Sequence, residues 1–116
     1  MTADQFRRYC LGKKGATEDF PFGMPVTVYK VQGKMFALAD ADFRRVNLKS
    51  DPVTAIALRE RYPSVIPGYH MSKRHWNSVI MDGSVDDALV YEWVDHSYDL
   101  VVAGLTRAQR EALQGS

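Results

Sequence analysis

The chain has 116 residues, 46% of them hydrophobic and 25% charged, a composition typical of a globular protein that buries one core. Its single cysteine, Cys10, excludes an internal disulfide and is too few for a thiolate metal site. No apolar run approaches the ~20 residues that cross a bilayer, and residues 1–5 include an acid and no apolar segment. We therefore expect a single domain over residues 1–116, a cytoplasmic location, and neither a signal peptide nor a membrane partner.

The charges are unevenly spread, although the formal net charge is only +1. Residues 1–81 hold thirteen lysines and arginines against seven acids, a balance of +6, and residues 82–116 hold two against seven, a balance of −5. This split permits a basic face, which is the usual electrostatic footprint of a protein that binds an anionic partner. The alternative is that the acidic half is simply the solvated face of a helix.

The first part of the chain predicts a helix followed by a proline-rich segment. Thr2 with Gln5 three residues later forms a capping-box pattern, which predicts a helix from there to about Leu11. Residues 20–25 then combine two phenylalanines with two prolines. Because the prolines restrict the backbone, we expect these aromatic rings to fill an edge of the core at low entropic cost.

Three strands are predicted next. Residues 26–31 and 34–39 are rich in β-branched and aromatic side chains, and Gln32-Gly33 between them is typical of a tight hairpin turn. Residues 44–49 alternate charged and apolar side chains, which predicts a third strand with one solvated face. Strands joined by such short connections form an antiparallel meander.

The middle of the chain predicts a helix and two further strands. Asp51-Pro52 is a strong helix start, with Asp as N-cap and Pro at the first helical position, and the helix runs to about Arg61. Residues 65–66 are a short strand or loop, and residues 76–81 are another strand.

The last part of the chain predicts two helices. Ser84 with Asp87 is expected to cap a long helix that ends near Gly104. Apolar residues repeat along it at helical spacing, namely Val90, Val94, Tyr98, Val101 and Leu105. Thr106 with Gln109 starts a short final helix. The predicted fold is an α+β two-layer sandwich, in which a five-stranded antiparallel sheet carries the helices on one face in the order α-β(3)-α-β(2)-α.

The most distinctive segment is residues 69–76, which holds two fixed cations, two imidazoles and two large aromatic rings. Cations attract phosphates and aromatic faces stack on bases, so the segment is typical of a contact surface for nucleic acid. The candidate binding residues in it are Tyr69, His70, Lys73, Arg74 and His75. The alternative is one exposed turn that leads into a core strand, with Trp76 as its buried anchor.

A second basic protrusion is predicted from the hairpin tip, residues 32–34, together with the pair Arg44-Arg45. Two basic protrusions beside a sheet would straddle a nucleic-acid backbone, so Lys34, Arg44 and Arg45 join the candidate binding residues.

Catalytic and metal chemistry find little support in the sequence. The chain contains three histidines, His70, His75 and His96, and no two of them are four residues apart on a predicted helix. We expect structural or surface histidines, no metal and no cofactor. Cys10 lies on a helical apolar stripe, where a thiol behaves as a small hydrophobe. Asp40 and Asp42 are expected to mark a polar loop, so no enzyme is predicted.

A set of short motifs spans nearly the whole chain. The motifs are Phe20-Pro21-Phe22-Gly23, residues 33–37, Leu48-Lys49, Asp51-Pro52, Tyr62-Pro63, Pro67, residues 69–73, His75-Trp76, Met81-Asp82-Gly83 and Ser97-Tyr98. Together they resemble the YjbR/MmcQ family of small bacterial proteins. The resemblance implies a CyaY/secretion-chaperone-like fold in the order α-β(3)-α-β(2)-α, and a DNA-binding role of the double-wing type that is itself an analogy of fold.

The family pattern covers five basic positions: Lys34, Lys49, His70, Lys73 and His75. It does not cover Arg44, Arg45 or Arg74, which are candidates on charge alone. The sequence thus favours a non-enzymatic DNA-binding protein. The alternative is a protein-interaction or chaperone-like module, with a peptide or protein partner on the sheet face or on the acidic helix. A small-ligand binder would need a deep pocket lined by His70, His75 and a carboxylate. The oligomeric state stays open.

Overall fold

A computed structural model describes residues 1–115 as four helices and six strands. In chain order the elements are α1 (Ala3–Leu11), β1 (Ala16–Asp19), β2 (Thr27–Val31), β3 (Lys34–Ala39), β4 (Arg45–Lys49), α2 (Pro52–Arg61), β5 (Val65–Pro67), β6 (Trp76–Ile80), α3 (Asp87–Ala103) and α4 (Arg107–Gln114). None of these helices is both long and apolar enough to cross a membrane.

All six strands form one antiparallel sheet in the spatial order β1-β2-β3-β4-β6-β5. Val46 and Leu48 of β4 face the main hydrophobic core, which also contains residues of α1, α3 and α4. Because side chains alternate along a strand, Asn47 between them points to the opposite face of the sheet. We call this second surface the helix-free face.

The α+β class is confirmed, but the prediction of five strands was wrong. The additional strand, β1, pairs with β2 from Ala16↔Val31 to Asp19↔Val28 at the sheet edge. Its sequence, Ala-Thr-Glu-Asp, contains no aromatic residue and two acids, so it lacks the pattern that predicts a strand. Tertiary contacts support it instead, since Arg7 of α1 donates two hydrogen bonds of 2.9 Å to Glu18.

The predicted hairpin between β2 and β3 is confirmed. Both turn residues have positive φ, 49° at Gln32 and 75° at Gly33. Positive φ at both central positions defines a type I′ turn, whose twist matches that of the flanking strands.

Further along the same hairpin, β3 carries a bulge. Tyr29 pairs with Ala37 whereas the next residue, Lys30, pairs with Met35, so Phe36 is an extra residue on β3. The carbonyl of Phe36 accepts a hydrogen bond of 2.6 Å from the Ser97 hydroxyl of α3. That hydroxyl oxygen in turn accepts 2.9 Å from the backbone N–H of Lys49. Ser97 therefore links β3 to β4 beyond Ala37↔Leu48, the last pair of their ladder.

The helix starts were predicted well in three cases of four. Thr2 and Thr106 both form full capping boxes, and Asp51 caps α2. The prediction that Ser84 caps α3 was wrong, because α3 begins after Asp86 without a side-chain cap. The Ser84 hydroxyl instead makes a short hydrogen bond with Ser64, which also donates 3.4 Å to Asp82.

Candidate binding site on the helix-free face

Residues 68–75, here called the basic loop, connect β5 to β6 and fold back over the helix-free face. Asn47 donates 3.2 Å from its side-chain amide to the backbone carbonyl of Tyr69. The Ser78 hydroxyl accepts a hydrogen bond of 2.9 Å from the backbone N–H of Tyr69. It donates a hydrogen bond of 2.5 Å to the side-chain carbonyl of Asn47. Asn47 and Ser78 are 3% and 0% exposed. The loop is thus attached to the sheet by a closed, buried network of hydrogen bonds.

Close packing at Gly68 sets where the loop leaves β5. A Cβ atom at this position would lie 2.8 Å from the Trp76 Cβ atom and 2.9 Å from the Trp76 carbonyl oxygen. Only glycine permits this approach. Trp76 itself is 9% exposed and lies under the loop, so its predicted role as a buried anchor is confirmed.

The tip of the basic loop contacts the first residue of β4. The guanidinium carbon of Arg45 lies 4.0 Å from the centre of the Tyr69 ring, which is a cation–π contact. The His70 ring centre lies 4.0 Å from that of Tyr69, and His70 itself has a left-handed backbone with φ of 58°. Arg45 also donates 3.4 Å from Nε to Asp40. Three of the predicted binding residues, Arg45, Tyr69 and His70, are therefore brought together.

The remaining basic residues of the loop face solvent. Lys73, Arg74 and His75 are exposed, and Lys73 donates 3.3 Å from Nζ to the carbonyl of Gly68. Two fixed positive charges thus lie on the outer surface of an ordered loop, with the 50% exposed Tyr69 beside them.

The other predicted cations are divided between the two ends of the sheet. Lys34 begins β3 and Lys49 ends β4, at the same end at which the basic loop leaves β5 and joins β6. Arg44 and Arg45 follow the opposite end of β3, about 20 Å from Lys34 at about 3.3 Å per strand residue. The prediction that Lys34 and the Arg44-Arg45 pair form one protrusion was therefore wrong.

A pocket of about 430 Å³ opens beside the loop tip. Its apolar lining comes from Phe22, Val26, Leu38 and Met71. Its polar lining comes from Asp40, Arg45, Asn47, Tyr69 and His70. A small-ligand site was expected to contain His70, His75 and a carboxylate. His70 and the carboxylate of Asp40 line this pocket, but His75 does not.

Several pocket residues were missed because their roles depend on long-range folding. Phe22 is 71% exposed at the pocket, so the expectation that it fills a core edge was wrong. Asn47 lies on the strand face that was predicted to be solvated, but the basic loop covers that face. No local signal identified Asn47, because residues 45–49 alternate polar and apolar side chains as a strand with one solvated face does.

Two groups that could act as nucleophiles, Cys10 and Tyr9, are not poised for reaction. Cys10 is 0% exposed, and burial raises the pKa of its thiol far above the ordinary value of 9.0. The pKa of Tyr9 is raised to about 12, first by burial and then by its hydrogen bond to Asp95. Within residues 1–115 no three His, Cys, Asp or Glu side chains are arranged to hold a metal ion.

The fold and this surface define a small α+β protein with a basic loop and a ligand-sized pocket on the helix-free face of its sheet. The sequence profile of the YjbR family matches residues 11–100. The chain belongs to the YjbR family. It is 35% identical over 115 residues to the uncharacterized protein YjbR of Escherichia coli K12, covering 97% of this chain and 98% of that protein.

Two further relatives agree with this assignment. The uncharacterized protein YbdF of Escherichia coli O157:H7 is 39% identical over 98 residues, covering 82% of this chain and 80% of that protein. A crystal structure of a Deinococcus radiodurans protein with a DUF419 domain superposes with a TM-score of 0.90 at 39% identity, covering 97% of this chain and 88% of that one. The names of these relatives describe no enzymatic activity.

Proposed function

We propose that this protein binds nucleic acid, without catalysing a reaction, through phosphate contacts made by Lys73 and Arg74. The observation that carries this proposal is an ordered loop, held to the sheet by buried hydrogen bonds, that presents both cations to solvent beside Tyr69. Because Gly68 and Tyr69 are hydrogen-bonded to the sheet, the base of the loop loses little conformational freedom when a ligand binds.

The distribution of charge over the two faces of the sheet supports the same proposal. Acidic helix α3 packs on the core face through Val90 and Val94, whereas the basic loop lies on the helix-free face. The negative charges of α3 are therefore separated from the loop by the sheet, so they oppose an approaching phosphate less than nearby acids would.

The first experiment measures fluorescence anisotropy with random-sequence DNA at several salt concentrations. The wild-type protein is compared with Lys73→Ala/Arg74→Ala. We expect weaker binding in the double variant and a salt slope that is shallower by about 2, since each lost phosphate contact reduces the slope by about 1.

A matched control removes the same amount of charge elsewhere. Arg8→Ala/Arg107→Ala changes two arginines whose side chains are 70% and 89% exposed on α1 and α4. The control should bind like the wild-type protein. Equal binding by wild-type and Lys73→Ala/Arg74→Ala would exclude the basic loop as the contact surface.

A second candidate function, binding of a protein partner, is favoured by one observation on α2. Val53 and Ile56 are 79% and 53% exposed, and at a spacing of three residues they lie on one side of the helix. If α2 is an interaction surface, we expect an association that salt does not weaken. The double variant Val53→Ser/Ile56→Ser should abolish it. Light scattering coupled to gel filtration at low and high salt tests self-association, and a strictly monomeric wild-type protein would argue against it.

A further inference from the structure

The pocket beside the loop tip lies between the basic loop and the segment that contains Phe22 and Val26. Its volume of about 430 Å³ is within the usual range of ligand pockets, about 300–1,000 Å³. Apolar side chains, three rings and a guanidinium meet in this one cavity, which restricts the chemistry of a ligand that would fit it.

The polar end of the pocket suits a phosphate group. Arg45 uses Nε for Asp40, and its terminal amino groups donate to no acceptor within residues 1–115. Asp40 meanwhile accepts from the backbone N–H groups of Arg44 and Arg45 at 2.8 and 3.3 Å, so its charge is partly satisfied by the turn. The outer edge of the Arg45 guanidinium is therefore available for the two parallel hydrogen bonds that arginine makes with a phosphate.

The remainder of the pocket suits a flat aromatic ring. Leu38, Val26 and Met71 provide apolar surface, and the rings of Phe22, Tyr69 and His70 provide faces on which a planar group can stack. The buried Asn47 has one amide hydrogen beyond its bond to Tyr69, which can recognise a polar ring edge.

We propose that this pocket is a nucleotide site that holds an unpaired base on its apolar side and the adjoining phosphate at Arg45. The nucleotide can be free in solution or part of a single strand, and the strand-borne case rests on the nucleic-acid binding proposed above. Bases within a duplex are stacked and paired, so they cannot enter a concave pocket without leaving the helix. Binding of a single strand should accordingly exceed binding of a duplex.

The test uses the wild-type protein and follows the methyl NMR signals of Leu38, Val26 and Met71. The probes are thymidine 5′-monophosphate, adenosine 5′-monophosphate, a short oligothymidine strand and a duplex of equal length. We expect saturable shifts of these methyl signals with at least one mononucleotide or with the single strand, and none with the duplex.

Variants then assign the phosphate contact. Arg45→Met should weaken binding of the nucleotide that shifts the methyl signals by about tenfold or more, as is usual for loss of a hydrogen-bonded charge. Arg8→Met is the matched control, because Arg8 also pairs with an acid, Asp4 at 3.0 Å, but lies on α1. Retained affinity in a folded Arg45→Met protein would overturn the assignment of the phosphate to Arg45.

The outcomes separate the two proposals. Mononucleotide binding with no strand binding would support the pocket and overturn the nucleic-acid function. If single strand and duplex bind equally, through Lys73 and Arg74 and without methyl shifts, the nucleic-acid function is supported and the nucleotide site is overturned. No methyl shift with any probe would overturn the nucleotide site.

Discussion

Ser97 completes the hydrogen bonding between β3 and β4 at the bulge of Phe36. With 0% exposure it serves the carbonyl of Phe36 and the N–H of Lys49 at once, so a single hydroxyl replaces a ladder bond between two strands. A buried backbone group without a partner is costly, which makes this side chain a strong determinant of stability.

We expect Ser97→Ala to lower the free energy of unfolding by about 1–3 kcal/mol, because it leaves both backbone groups unpaired. Urea denaturation at neutral pH measures the change. Ser72→Ala is the control, because Ser72 is an exposed residue of the basic loop and its removal should change stability by less than about 0.5 kcal/mol. Equal stability of the two variants would show that the bridge contributes nothing.

The identity of a residue predicts whether its side chain carries charge, but it does not predict which residues that side chain contacts. Tyr69 and Arg45 are separated by 24 residues in sequence, and only the return of the basic loop over the sheet brings them within 4.0 Å. Nothing local to residues 36, 49 or 97 indicates that one hydroxyl joins two strands. Contacts of this kind depend on the register of the sheet, which cannot be read from local patterns in one sequence.

Among the elements, α2 depends on the cap that Asp51 provides. Its carboxylate accepts 2.9 Å from the backbone N–H of Thr54 and lies 3.3 Å from His96. The hydrogen bond from Thr54 favours the charged form and is the main reason that the pKa of Asp51 is lowered from its ordinary value of 3.8, with a smaller contribution from His96.

This shift gives the stability a defined dependence on pH. Because the pKa is lower in the folded state, the contribution of Asp51 is fully present above the unfolded pKa and is lost as the pH falls through the folded one. Asp51→Asn keeps a good cap but cannot titrate, so its unfolding free energy should fall less steeply as the pH drops through and below the ordinary aspartate pKa of 3.8. Urea denaturation at a series of pH values measures this.

A second variant separates the cap from the charge. Asp51→Ala removes both and should lower stability by about 1 kcal/mol even at neutral pH. If Asp51→Asn and the wild-type protein lose stability in parallel on acidification, the carboxylate does not control the acid response.

Most elements could be predicted because their signals are local. Caps, the Gln32-Gly33 turn and the apolar spacing of α3 each act within a few residues. The failures have a common physical cause in contacts made elsewhere. β1 forms because it pairs with β2 and is bonded to α1 through Arg7 and Glu18. Ser84 does not cap α3, because its hydroxyl bonds to Ser64 and its backbone N–H donates to Asp82.

For the whole molecule, the basic loop and the acidic helix α3 are separated in space. The sequence indicated a basic part and an acidic helix, and the alternation of Val46, Asn47 and Leu48 places the basic loop and α3 on opposite sides of the sheet. The pocket could not be predicted in the same way, since its walls come from three separate parts of the chain.

The burial of Cys10 has a practical consequence for studying these surfaces. The thiolate, not the thiol, attacks a thiol reagent, and this thiol is both inaccessible and kept protonated, so modification of the native chain requires α1 to detach from the core. Cys10 should therefore react very little with a thiol-directed fluorophore, so a cysteine introduced on the surface can be labelled selectively. In the unmutated protein, the rate at which Cys10 itself is labelled would measure how often α1 detaches from the core.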